Sequence, residues 1–129
     1  MFFNNGDKYI GNFKEEQMEG KGTYYYINGD RYEGDISHNL RHGNGTMFFA
    51  NGNTYKGEFK NGKREGNGTM ICKNGNTFEG EFKNGKLDGK GKYYFKDKLK
   101  YDGDFKDDKY EGKGIYYYKN GNRYEGEFH

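Results

Sequence analysis

The sequence has no proline, no tryptophan and no valine, and only one alanine, three leucines and one cysteine in 129 residues. With so few aliphatic side chains, an ordinary globular core is out of reach. No run of 18 apolar residues occurs, so a membrane-spanning helix is excluded. Met1-Phe2-Phe3-Asn4-Asn5-Gly6-Asp7 lacks the long apolar stretch of a signal peptide. A lone cysteine, Cys72, cannot build an internal disulfide framework or a thiolate zinc site. Together these absences point to a reducing, cytoplasmic setting. A large charge of one sign is missing too: 22 Lys+Arg oppose 20 Asp+Glu, for a net +2. Disorder from low aliphatic content ordinarily comes with high net charge, so the near balance argues against it. The small charge and the lack of any base-reading motif argue against nucleic acid as a partner.

What is present is aromatic and glycine-rich: 14 Tyr, 11 Phe and 23 Gly. These residues fall into a 23-residue period running 9–31, 32–54, 55–77, 78–100 and 101–123. Residues 1–8 read as the tail of a preceding unit and 124–129 as the start of another, so the chain is one repeat array. Each unit opens Tyr-x-Gly-x-Phe, crosses a short polar link to Gly-x-Gly, and runs through aromatic residues to Asn-Gly. The pattern implies two short strands per unit and an all-β fold, an elongated single-layer antiparallel meander of about ten strands. Alternation places the rings of Tyr55 and Phe59 on one face with Gly57, and Lys56 and Glu58 on the other. The glycines leave room for a neighbouring strand's ring to lie flat over the backbone. Asn28-Gly29, Asn51-Gly52, Asn74-Gly75 and Asn120-Gly121 predict type I′ hairpin turns. The fourth unit breaks the rule with Asp97-Lys98-Leu99-Lys100 and is expected to turn differently.

Catalysis finds little support. His38, His42 and His129 occupy unrelated places in the unit and read as surface histidines, not metal ligands. Cys72 takes an aromatic slot of the inward face and reads as a small core residue. Glu58, Glu81, Asp104 and Glu127 recur at the fourth position, opposite the rings, and read as a solubilising ladder, not an acid–base pair. No catalytic residue, cofactor or metal is expected.

Two surfaces are better candidates. The first is a groove of rings built from Tyr32, Tyr55, Phe59, Phe78, Phe82, Tyr101 and Phe105, with Tyr93, Phe95, Tyr116 and Tyr118 beside them. Half of these rings are expected to pack only on each other and half to stay open to a partner, an amphipathic helix among the possible guests. The second is the seventeenth position, Tyr25, Phe48, Ile71, Tyr94 and Tyr117, an apolar stripe on the opposite face. The third and fourth units each carry +3, while the first two carry −1 each and the fifth 0. Lys83, Lys86 and Lys90 are therefore the expected contacts for an anionic ligand or lipid. No run of four to eight basic residues marks a lipid-binding segment, so lipid is the lesser expectation.

Tyr55-Lys56-Gly57-Glu58-Phe59-Lys60-Asn61-Gly62-Lys63-Arg64-Glu65-Gly66-Asn67-Gly68-Thr69, with its counterparts in every unit, resembles the MORN (membrane occupation and recognition nexus) repeat. The resemblance covers essentially the whole chain and implies an elongated, twisted antiparallel sheet. The fifth position, often Trp in that family, is Phe or Ile here. The resemblance also implies a non-enzymatic scaffold that binds a protein partner or itself in a cytoskeletal, ciliary, axonemal or membrane-adjacent assembly. Its alternatives are a phosphoinositide-binding module and the non-catalytic arm of a larger enzyme, such as a lipid kinase or lysine methyltransferase.

Overall fold

The computed structural model describes residues 1–128. Its strands are β1 (Lys8–Lys14), β2 (Gln17–Tyr25), β3 (Arg31–Ser37), β4 (Leu40–Phe48), β5 (Thr54–Lys60), β6 (Lys63–Ile71), β7 (Thr77–Lys83), β8 (Lys86–Phe95), β9 (Lys98–Lys106), β10 (Lys109–Tyr117) and β11 (Arg123–Phe128). All eleven form one sheet in chain order, each antiparallel to the next, and no helix occurs among the described residues. At about 4.8 Å per strand the sheet extends roughly 50 Å. The accessible surface is 8362 Å², against about 7,100 Å² for a compact monomer of this mass. The excess is what a single layer must show.

The core is a ladder of rings along one face. Tyr9, Tyr32, Tyr55 and Tyr101 are wholly buried, with Ile36, Phe59, Phe82, Leu87 and Phe105 nearly so. Each buried tyrosine lies flat over a glycine pair on adjacent strands. A Cβ at Gly45 would fall on the ring and hydroxyl of Tyr32, and one at Gly68 on those of Tyr55. The hydroxyls donate to the carbonyl three residues on: Tyr32 to Asp35 (2.6 Å), Tyr55 to Glu58 (3.0 Å) and Tyr101 to Asp104 (2.7 Å). That carbonyl belongs to an irregular step in the ladder, since β5–β6 pairing jumps from Gly57↔Gly68 to Phe59↔Arg64. The phenol thus fills a place that the bulge leaves out of the ladder. Rings from alternate strands meet edge to face at 5.0–5.1 Å, as Tyr32–Phe59 and Tyr55–Phe82 do.

The fourth-position acids have a structural task. Asp35, Glu58, Glu81 and Asp104 each accept the backbone N–H between the two glycines of the next strand, at 2.7–3.2 Å. The sequence reading of Glu58, Glu81 and Asp104 as part of a solubilising ladder is therefore incomplete. Asp35 and Asp104 are held below the usual carboxylate range, first by Lys21 and Lys90 respectively.

The turns also differ from expectation. At Asn28-Gly29 only Gly29 has a positive φ, +100°. Gly29 N–H donates to the Tyr26 carbonyl and Tyr26 N–H to that of Asp30, which is a type I turn closed by a glycine bulge. Asn28 is there for its side chain, which accepts the Asp30 N–H at 2.9 Å. Type I′ geometry belongs instead to the polar links. Asn61 and Gly62 both have positive φ (50° and 86°), as do Glu15 and Glu16, His38 and Asn39, and Lys96 and Asp97. Lys96-Asp97 is the altered turn of the fourth unit, joining β8 to β9 with Phe95 opposite Lys98.

Both edges of the sheet are stitched between units. On one, Asp7, Asp30 and Asn53 each accept an N–H of the following turn, from Ile27, Ala50 and Lys73, at 2.7–2.9 Å. On the other, the second residue of each link donates to the tenth residue of the unit before: Gly62 to Arg41 (2.8 Å) and Gly85 to Arg64 (3.0 Å).

Candidate functional site

Above the buried rings, the same face carries three contiguous cavities of about 170, 230 and 210 Å³. They are successive copies of one site. The first is bounded by Met18, Tyr26, Tyr32, Ile36 and Arg41. The second has Arg41, Phe49, Phe59 and Arg64, and the third Arg64, Cys72, Phe78, Phe82 and Leu87. Neighbouring cavities share a wall, Arg41 with Gly62 for one pair and Arg64 with Gly85 for the other. The tenth residue of each unit stands at these walls because its backbone carbonyl is pinned by the next link's tip.

The groove rings expected from sequence lie in the layer beneath, and Tyr32, Phe59 and Phe82 each line the bottom of one cavity. Tyr32, Tyr55, Phe59, Phe82, Tyr101 and Phe105 are at most 4–5% exposed. They are packed core rather than open surface, because the glycines let each tyrosine sink onto the backbone. Burial pushes the Tyr55 hydroxyl up to about 12, against the neighbouring Arg64 charge, and pushes that of Tyr32 up as well. Of that set only Phe78 stays half-buried, stacked on Tyr93 at 4.6 Å. The open walls come from the sixteenth and eighteenth positions, Tyr24, Tyr26, Phe49 and Met70, which are partly buried against the core. Tyr93 and Tyr116 belong with them. Phe95 and Tyr118 are about half exposed at the ends of their strands. Cys72 lines the third cavity where Tyr26 and Phe49 stand in the first two, and burial raises its thiol.

Tyr25, Phe48, Ile71 and Tyr94 of the stripe lie on the other face, in register through Arg31, Thr54 and Thr77, and an irregular step, where Tyr94 pairs with Leu99, interrupts the line before Tyr117. Tyr25 and Ile71 are open to solvent, while the Arg31 guanidinium covers Phe48 at 4.2 Å and Lys8 approaches the Tyr25 ring at 5.6 Å. Lys83 and Lys86 face each other across the Asn84-Gly85 turn. Lys90 is bound to the Asp104 carboxylate, so its charge is already partnered. The histidines support link turns: His42 Nδ1 accepts the Asn61 N–H of the next unit's link at 3.4 Å, and His38 Nδ1 pairs with the Ser37 hydroxyl of its own at 2.9 Å. His129 lies outside the described residues.

Sequence reading passed over Arg41 and Arg64. Their signal is compositional: the chain has 18 Lys and only 4 Arg, and two of those four fall on the tenth position of adjacent units.

A family model for the MORN repeat matches residues 9–31, 32–54, 55–77, 78–100 and 101–123. The chain belongs to the MORN repeat family. A search of curated proteins returned no match. MORN repeats serve generally as interaction modules, and the three cavities lie on the ring face of this MORN sheet. No helix among its described residues is long and apolar enough to cross a membrane.

Proposed function

We propose that this MORN array is a non-enzymatic scaffold whose ring face docks a protein segment across successive units, within a cytoskeletal, ciliary or membrane-adjacent assembly. The observation that carries this reading is the row of three equivalent cavities with shared walls. Their floor is rigid, because its rings are fully packed. Their walls are half-buried aromatic and methionine side chains, which offer contact area at little conformational cost. A long guest laid across the strands meets the same pocket three times.

The test separates wall from floor. Tyr26→Ala with Phe49→Ala removes contact area while leaving the buried tyrosines in place. Co-purification from the native cell identifies the partner, and the double variant is expected to lose it while keeping its β-sheet circular dichroism. Retention of every partner by the folded double variant would refute the reading.

A further inference from the structure

We propose that Arg41 and Arg64 bind carboxylates of the docked segment, and that this segment is an amphipathic helix carrying acidic residues seven apart. The inference rests on the ring face being the docking surface.

Both guanidiniums stand at walls between cavities, among aromatic rings. Arg41 lies 5.9 Å from the Tyr26 ring centre and 5.5 Å from that of Phe59, and Arg64 lies 5.8 Å from Phe49 and 5.7 Å from Tyr55. The ion pairs among the described residues use Lys21, Arg31, Lys90 and Arg123, and neither of these two. Exposed lysines of the same sheet find carboxylates, so acid is not scarce. Arg41 donates to the Gly62 carbonyl at 2.6 Å and to the Met47 sulfur at 4.0 Å, and a guanidinium has five donors. Burial lowers the Arg64 pKa; Asp108 opposes that and Arg41 adds to it. Asp108, at the far wall of the third cavity, is engaged by the Leu87 N–H at 2.8 Å. An incoming carboxylate would find two partly buried, planar donors with a matching bidentate geometry.

The spacing selects a helix. Arg41 on β4 and Arg64 on β6 are two strands apart, about 9.6 Å along the sheet. Seven residues of α-helix rise about 10.5 Å and return to the same face. Three residues of extended chain cover about 10 Å, but an odd step turns the side chain to the opposite face. A helix crossing the strands therefore presents an apolar side chain to each cavity and an acid to each wall between them. The tenth positions beyond are Met18 and Leu87, so the charged demand is two acids flanked by apolar contacts.

Panning a display library of roughly 20-residue helical peptides, long enough to span about 30 Å, tests this against the wild-type chain and an R41Q/R64Q variant. The expected outcome is enrichment of peptides with Asp or Glu seven apart on the wild type and none on the variant. For a selected peptide, each Glu→Gln change is expected to weaken binding roughly tenfold or more. Selection of apolar peptides without paired acids, equally by both proteins, overturns this proposal and leaves the docking surface standing. Selection of no peptide by the wild type overturns both. Phosphatidylserine vesicles that bind the wild type and release the variant, with no acidic peptide selected, overturn it in favour of a membrane. If the double glutamine variant does not fold, a salt series on the unaltered chain decides: affinity for the selected peptides must fall as salt rises, and salt-independent affinity overturns the proposal.

Discussion

The third and fourth units follow one plan and differ at three linked places. Tyr55 sinks over Gly57 and Gly68 and bonds the Glu58 carbonyl; Phe78 has no hydroxyl for the Glu81 carbonyl and stacks outward on Tyr93. A Cβ at Gly91 would meet the Glu79 carbonyl and the ring of Phe105, not a ring of its own unit. In the third unit the edge stitch from Asn53 reaches the Lys73 N–H, whereas the Asn76 Oδ1 in the corresponding place is buried with no partner. The turn that would have supplied that partner has been replaced by Lys96-Asp97. The comparison teaches that the phenol hydroxyl, more than the ring, holds an aromatic side chain in the slot. A ring without that tether lies higher and helps to shape the third cavity.

Substitutions at matched positions would break the contrast. Tyr55→Ala is expected to have the largest effect, about 3–5 kcal/mol of unfolding free energy, and Phe78→Ala less than half of it. Urea unfolding of both variants checks this; equal losses would show that the two rings occupy equivalent sites. Gly68→Ala comes next, at about 2–3 kcal/mol, since its methyl must displace the Tyr55 ring. Gly91→Ala is expected to cost less, because its nearest neighbours, the Glu79 carbonyl and the Phe105 ring, lie 3.0 Å from the new carbon, whereas a carbon at Gly68 would overlap the Tyr55 ring and hydroxyl outright. A larger loss at Gly91 than at Gly68 would contradict the tether argument.

Phe78→Tyr sharpens the comparison from the other side. Restoring the hydroxyl should draw the ring into the slot and stabilise the sheet by about 1 kcal/mol, with Tyr55→Phe losing about as much. A thermal melt of each decides. The smallest effect concerns pH. The folded pKa values of Asp35 and Asp104 are depressed, so their contribution is present above the unfolded value of about 3.9 and is lost as pH falls through the folded one. Asp104→Asn should therefore flatten the acid limb of the stability profile, its loss falling at neutral pH, where the charged carboxylate contributes, and vanishing below the folded pKa. An unaltered acid limb would remove Asp104 from the account.

The fold was legible because it is written five times. Tyr-x-Gly-x-Phe and Gly-x-Gly have one structural solution, in which the ring of one lies on the glycine of the other. Turn type was less legible. Asn-Gly points to type I′ geometry on its face, but at Asn28 the side chain is used to accept the Asp30 N–H, and Glu15-Glu16 forms the type I′ turn with no glycine at all. In the link turns the penalty on positive φ is offset by side chains that accept the first amide, Glu19 for His38 and Glu65 for Asn84. The candidate site was legible as a face but not as a depth. Alternation assigns Tyr55 and Tyr26 to one side without saying that the first is floor and the second wall. That distinction depends on which ring faces a glycine pair across the ladder.

The stitched edges have a mechanical consequence. The strands run across the long axis of the sheet, so tension between the chain's ends acts along the interstrand hydrogen bonds. A sheet loaded that way parts one ladder at a time, not all at once, each unit holding only its neighbours. The edge stitches from Asp30 and Asn53 add resistance at their junctions, whereas among the described residues the third–fourth and fourth–fifth junctions have none on that edge, Asn76 Oδ1 being left without a partner at the first of them. Under such a load this array would lengthen in steps, with the fourth unit, unstitched on that edge at both its junctions, yielding before the units that precede it.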